Sequence, residues 1–296
     1  MLLEAADFGT ESEILNDLLV TLAPADWARP TGFKGWTVRD VIAHLHFWNG
    51  AADLSLHDGE AFKALYAKVS ARMARGRMRD AEDAILEDDA PRLEDEVLRA
   101  HWLQRARDIA GRWTHADPKT RVPWAGPSMS ARSSITARHM ETWAHGHEIF
   151  DLFAQTRAEG DRIRNIVVLG VNTFGWTHKV HGPQTPATAP ATAPPTALPT
   201  ALPTAPLAAR PAMPKLTLTA PSGARWDFGD ETAGRIEGPA LGFAQAVTQT
   251  RHWRETDLRA EGDGAIWWLD HAQCFAGAPM MPPAPGTRVR AAERPD

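Results

Sequence analysis

The chain has 296 residues, 43% hydrophobic and 23% charged, enough for two domains with cores of their own. With 32 Lys plus Arg against 37 Asp plus Glu it carries a net charge of −5, and no basic run supplies the footprint of a nucleic-acid binder. Its apolar runs, such as Ile166-Val167-Val168-Leu169, are too short to span a bilayer, and its single cysteine, Cys274, excludes an intramolecular disulfide or a multi-Cys metal site. The N-terminus carries Glu4, Asp7, Glu11 and Glu13 without the basic and apolar regions of an export signal. The expectation is a soluble cytoplasmic protein that binds neither nucleic acid nor membrane.

Thr10 and Glu13 read as a capping-box pair opening a first helix through Ile14, Leu15, Leu18, Leu19 and Leu22. Thr37 and Asp40 repeat that signal ahead of Val38, Val41, Ile42 and Leu45. The stretch from Glu60 to Ile85 reads as partly helical. A third long helix is expected from Pro91 through Val97, Trp102, Ala106 and Ile109 to Trp113, and a fourth from about Ser130 to Gln155. Four long helices with no strand run between them predict a bundle. A further helix follows from Asp161 to Lys179.

Between Pro183 and Pro214 lie ten of the 23 prolines, in near-repeats such as Ala187-Thr188-Ala189-Pro190. Proline removes backbone donors, so this insert is expected neither to pack nor to pair. Beyond it, Lys215 to Thr219 alternates as a strand, Pro221-Ser222-Gly223 is a turn signal, and Arg225 to Phe228 reads as the returning strand. Arg235-Ile236-Glu237 reads as another short strand. Helices are expected from Gly238-Pro239 through Val247, and from Asp263 through Trp267 and Leu269 to Phe275. The fold class is therefore α+β: a helix bundle over residues 1–157, then a small α/β domain over 158–282 interrupted by the insert at 183–214. Residues 283–296 read as a tail.

Twelve histidines are placed unevenly. On the second helix His44 falls at the flank of the apolar arc and should point inward, whereas His46 shares a side with Arg39 and Asp53 and should be wet. On the fourth helix Glu141 and His145 are four apart and stack one turn above the other. Ser134, Glu148 and Leu152 lie within about 40° of the same line, at 3.6 residues per turn. His139 and His147 lie off it. His44 opposite Glu141 and His145 would make a three-ligand site with an open position, the arrangement of catalytic rather than structural zinc. From spacing alone, a buried Glu–His hydrogen bond without metal is the more ordinary reading, and Glu148 competes with Glu141 for the role of ligand. Cys274, on an apolar stretch, reads as a buried inert thiol. Twelve Trp against one Tyr read as core and interface packing, with an aromatic substrate pocket as the alternative.

Gly35-Trp36-Thr37-Val38-Arg39-Asp40-Val41-Ile42-Ala43-His44-Leu45 resembles the G-W-[ST]-x4-[VIL]-x-H-[LIV] signature of mycothiol-dependent maleylpyruvate isomerase-like proteins, which belong to the DinB-like metal-binding bundles. Arg138-His139-Met140-Glu141-Thr142-Trp143-Ala144-His145-Gly146-His147-Glu148 resembles their second signature, R-x2-E-x3-H-x2-[DE]. The resemblance covers roughly residues 10 to 155. It implies a DinB-like four-helix bundle in which His44, Glu141 and His145 bind zinc or another divalent metal, with mycothiol or a similar thiol as cofactor and a small electrophile as substrate. It also implies an arginine from the second domain near substrate, for which Arg251 is the nearest match and Arg254 the alternative. A surface arginine at a helix C-terminus is the plainer reading of Arg251.

The C-terminal half resembles, more loosely, the small α/β domain that follows such bundles, with a sterol-carrier-like character. It also resembles a segment associated with wyosine-base formation. A radical iron–sulfur step needs a cysteine cluster that a lone Cys274 cannot supply. The expected function is a zinc-dependent, thiol-using isomerase or transferase. The rival readings are a non-catalytic metalloprotein whose second domain binds an apolar ligand, and a metal-free scaffold with a Pro-rich adaptor segment.

Overall fold

A computed structural model describes residues 1–74, 76, 78–89, 93–182, 211–230 and 233–288. The first helix, α1, spans Leu3–Leu19 and so starts seven residues before the expected Thr10 cap. Leu2, Ala5 and Phe8 are fully buried, and the Leu2 amide donates to Thr114 O at 2.9 Å. Tertiary burial extends the helix past the local cap signal, and Thr10 Oγ1 merely donates back to Ala6 O.

Helix α2, Val38–His57, begins where Thr37 and Asp40 predict, with both halves of the capping box made. The region from Glu60 to Ile85 resolves into α3, Gly59–Met73, and α4, Met78–Asp89. Helix α5 is Asp95–Trp113, and the Pro91 start lies outside the described residues. Two short antiparallel strands, β1 (Arg121–Val122) and β2 (Met129–Ser130), precede α6 and were not foreseen. Ser130 then caps α6, Ala131–Leu152, by accepting from Ser133 N. Helices α1, α2, α5 and α6 pack on one another, with α3 laid against α2. No helix of the described residues is long and apolar enough to cross a membrane.

The expected helix from Asp161 to Lys179 is broken: a short 3-10 turn at Asp161–Ile163 leads into α7, Arg164–Asn172, and α8, Phe174–His181, separated at Thr173. Of the proline-rich insert, residues 183–210 lie outside the described residues; Pro214 is already buried at the edge of the next strand. Strands β3 (Lys215–Thr219), β4 (Arg225–Phe228), β5 (Arg235–Pro239) and β6 (Arg259–Glu261) form one sheet in the order β4-β3-β5-β6. β3 pairs antiparallel with β4 and parallel with β5, and β5 pairs antiparallel with β6. Helix α9, Ala240–Val247, follows Pro239, and α10, Asp263–His271, stops short of the expected Phe275.

Residues 283–288, expected as part of a tail, are tied down in part, as is the segment just before them. Met280 O accepts from Gln249 Nε2, the Gly286 amide donates to Glu255, and Arg288 pairs with Glu148. The remaining residues, 289–296, lie outside the described residues.

Helix α6 belongs to two cores. Ile149 and Phe150 pack with Leu15, Val41 and Leu45, while Met140 and Trp143 pack with Leu216, Phe243 and Trp268 of the C-terminal half. Sixteen of its 22 residues are buried, so it shows no single apolar stripe.

Candidate metal centre

The site is built from the N-terminal half of α2 and the middle of α6. The capping box fixes the first turn of α2, which places His44 two turns in, against α6. His44 Nε2 lies 3.7 Å from Glu141 Oε2, and His145 Nε2 lies 3.3 Å from the same oxygen. One ligand atom from each of His44, Glu141 and His145 falls within 4.8 Å of the others. The structure thus brings these three side chains together across two helices. Glu148 turns away: it pairs with Arg288, and burial pushes its carboxyl up to about 7 despite that arginine.

The turn ahead of α2 covers the trio. Lys34 and Gly35 both adopt positive φ, which folds Phe33 and Trp36 back over the imidazoles. Trp36 stacks on His145 with ring centroids 5.7 Å apart and sits 5.0 Å from the His44 ring, while Phe33 meets His145 edge-on at 4.9 Å. The Gly35-Trp36 pair at the head of the motif therefore serves the site as a turn and a lid.

Glu82 of α4 is the participant that sequence reasoning missed. It is fully buried and lies 3.0 Å from His44 Nδ1; it accepts from Trp48 Nε1 at 2.7 Å and from Arg79 Nη1 at 2.5 Å. A carboxylate on Nδ1 keeps the proton there and turns the Nε2 lone pair toward Glu141 and His145. Nothing local marks Glu82 as interior, because Arg79, Asp80 and Asp83 surround it in sequence and the run reads as a solvated face.

The electrostatics favour a cation. Burial works to raise Glu141, but the adjoining His145 and His44 and the charge of Arg138 hold it well below the carboxylate range. Burial works to lower His44, and Glu82 and Glu141 overcome it, leaving that imidazole raised. His145 is lowered, chiefly by burial. The result is an ionised carboxylate between two imidazoles, donor types that suit a divalent metal once both rings are neutral.

His44 and Glu141 also line a cavity of about 340 Å³ between the helical and C-terminal halves, with Trp48, Trp124, Arg138, Met140, Trp176 and Cys274 among its walls. Cys274 is buried there, its thiol pushed up by desolvation and by the charge of Glu141, away from the nucleophilic thiolate.

One expectation needs correction. His46 is buried, not wet: α5 packs over that side of α2, and burial beside Arg105 and His101 lowers its imidazole to about 3. Arg251 is not brought to the trio; it donates to Asp151 Oδ2 at 2.6 Å and to Thr250 O at 2.8 Å. Arg254 pairs with Asp270. His139 and His147 stay apart from the trio, beside Glu11 and Glu159 respectively.

Comparison with known proteins gives the family. The Mycothiol maleylpyruvate isomerase N-terminal domain matches residues 8–150. Two uncharacterized proteins of Mycobacterium tuberculosis, from strains CDC 1551 / Oshkosh and ATCC 25618 / H37Rv, are each 35% identical over 280 residues, covering 93% of this chain and 95% of the relative. The chain belongs to the mycothiol maleylpyruvate isomerase-like family. Crystal structures of mycothiol-dependent maleylpyruvate isomerase and of a point mutant of it match at 16% identity and a TM-score of 0.47, covering 82% of this chain and 86% of theirs.

Proposed function

We propose that this family member is a metal-dependent enzyme that uses mycothiol or a similar small thiol to isomerise, or transfer a group to, a small electrophile. The observation that carries the reading is the convergence of His44, Glu141 and His145, the first two at the wall of a cavity of ligand size. In this reading residues 1–157 are a DinB-like bundle that holds zinc, and residues 158–282 close the cavity as a second domain.

The donor set fits the ion, since two imidazoles and one carboxylate leave a coordination position open to a small ligand. Zinc held there would supply the positive charge that favours the thiolate form of a bound thiol. The chain's own groups do the rest. Glu82 keeps the proton on His44 Nδ1, and Trp36 and Phe33 shield the two imidazoles from water. Arg251 ties the segment after α9 to α6 through Asp151.

Elemental analysis of protein purified without a His-tag, beside a His44→Ala/His145→Ala double variant, tests the site. About one zinc per chain in the first and none in the second is the expected result, followed by mycothiol binding to the zinc form alone. Equal metal in both proteins would remove the ligand set. Zinc without thiol binding would favour a non-catalytic metalloprotein.

A further inference from the structure

The cavity beside Glu141 holds a charge that no side chain among the described residues answers closely. Arg138 is buried, 4% exposed, and its Nε and Nη1 have no hydrogen-bond partner among the described residues. Its ion-pair partner is Glu141, whose Oε1 lies 3.9 Å from Nη2, beyond hydrogen-bond distance, while its Oε2 faces the two imidazoles. Trp124 lies 5.1 Å from the guanidinium carbon in cation–π contact, which stabilises charge and accepts no conventional N–H bond. Trp176 lines the same cavity and its indole Nε1 is likewise buried without a partner.

Leaving a buried guanidinium unpaired is expensive, and so is leaving an indole N–H unpaired, though less so. Two unanswered donors opening on one mainly apolar cavity ask for an acceptor that brings negative charge. The other walls bound its character: Trp48, Trp124, Trp176, Met140 and Phe275 make them aromatic and apolar. Planar unsaturated bodies suit such walls.

We propose that Arg138 is the anion-binding residue of this cavity, receiving the carboxylate of a small aromatic or conjugated ligand whose body lies among the tryptophans. The inference rests on the proposed function only in taking that ligand to be the electrophile; the anion site itself stands without metal. It gives Arg138 the place that sequence resemblance had offered to Arg251.

The test measures binding of benzoate and of its neutral partner benzamide by calorimetry, on zinc-loaded and on chelator-treated protein. Benzoate should bind at least tenfold more tightly than benzamide in both forms. Arg138→Gln should lower benzoate affinity at least tenfold and leave benzamide unchanged. Arg138→Lys, which keeps the charge and loses the planar fork, should fall between.

A residue that only balances Glu141 and Glu82 would leave the benzoate-to-benzamide ratio unmoved by either substitution, and that result overturns the proposal. So does benzoate binding that requires zinc and survives Arg138→Gln, because the anion would then sit on the metal. Should Arg138→Gln fail to fold, the charge-retaining Lys variant decides through the same ratio. Failure of the wild type to take up zinc would defeat the metal reading while leaving this comparison intact in the chelator-treated protein.

Discussion

At the scale of single residues, Glu82 shows how much of a metal site lies outside its ligands. Its carboxylate is held by Trp48 and Arg79 and in turn holds His44, so its position is fixed from two sides before any metal arrives. Burial works to raise its carboxyl, and His44, Arg79 and Trp48 together hold it below the usual carboxylate range. Glu82→Gln preserves the shape while removing that charge, and lets Nδ1 lose its proton to the other tautomer. Outer carboxylates of this kind typically change metal affinity about 10- to 100-fold. Competition against a chromophoric chelator should show a weakening in that range with His44, Glu141 and His145 intact; unchanged affinity would mean that Glu82 serves packing alone.

At the scale of elements, two threonines with the same local grammar have different fates. Thr37 accepts from the Asp40 amide at 3.1 Å while its own amide donates to Asp40 Oδ2 at 2.9 Å, so Thr37→Ala should cost about 1 kcal/mol. Thr10 sits mid-helix on an exposed face, and Thr10→Ala should change stability by less than about 0.5 kcal/mol. Urea unfolding of the two variants checks the contrast, and equal losses would contradict it. The difference was not legible locally, because burial of Leu2 and Phe8 against distant elements decides where α1 starts. The alternation of β3 and the Glu141/His145 stack were legible, since each depends on a short period that survives in sequence. Burial of His46 and Glu82 was not, since α2 is packed on several sides and α4 is charged along its length. A moment computed along one helix carries no record of how many neighbours that helix has.

At the scale of the whole molecule, α6 joins the two halves. Its Ile149 and Phe150 share a core with α1 and α2, and its Met140 and Trp143 share another with β3, α9 and α10. A buried polar junction reinforces it. Fully buried Glu11 of α1 accepts from Arg157 and, at 2.8 Å, from Arg162, while Arg157 donates to Trp143 O at 2.6 Å. Breaking such a junction leaves uncompensated charges, which opposes opening one half alone. A ligand that binds only the folded state at about 100 times its dissociation constant adds about 2.7 kcal/mol, a slowing of about 100-fold for amides that exchange through global opening. With zinc as that ligand on His44, Glu141 and His145, protection should rise in α2 and equally at Leu216 and Leu218 of β3, elements that share no contact with the proposed ion. Hydrogen exchange with zinc and then with chelator measures this directly. Slowing confined to α2 and α6 would mean that the C-terminal half opens independently, and that the wall it contributes to the cavity is free to part from the metal site.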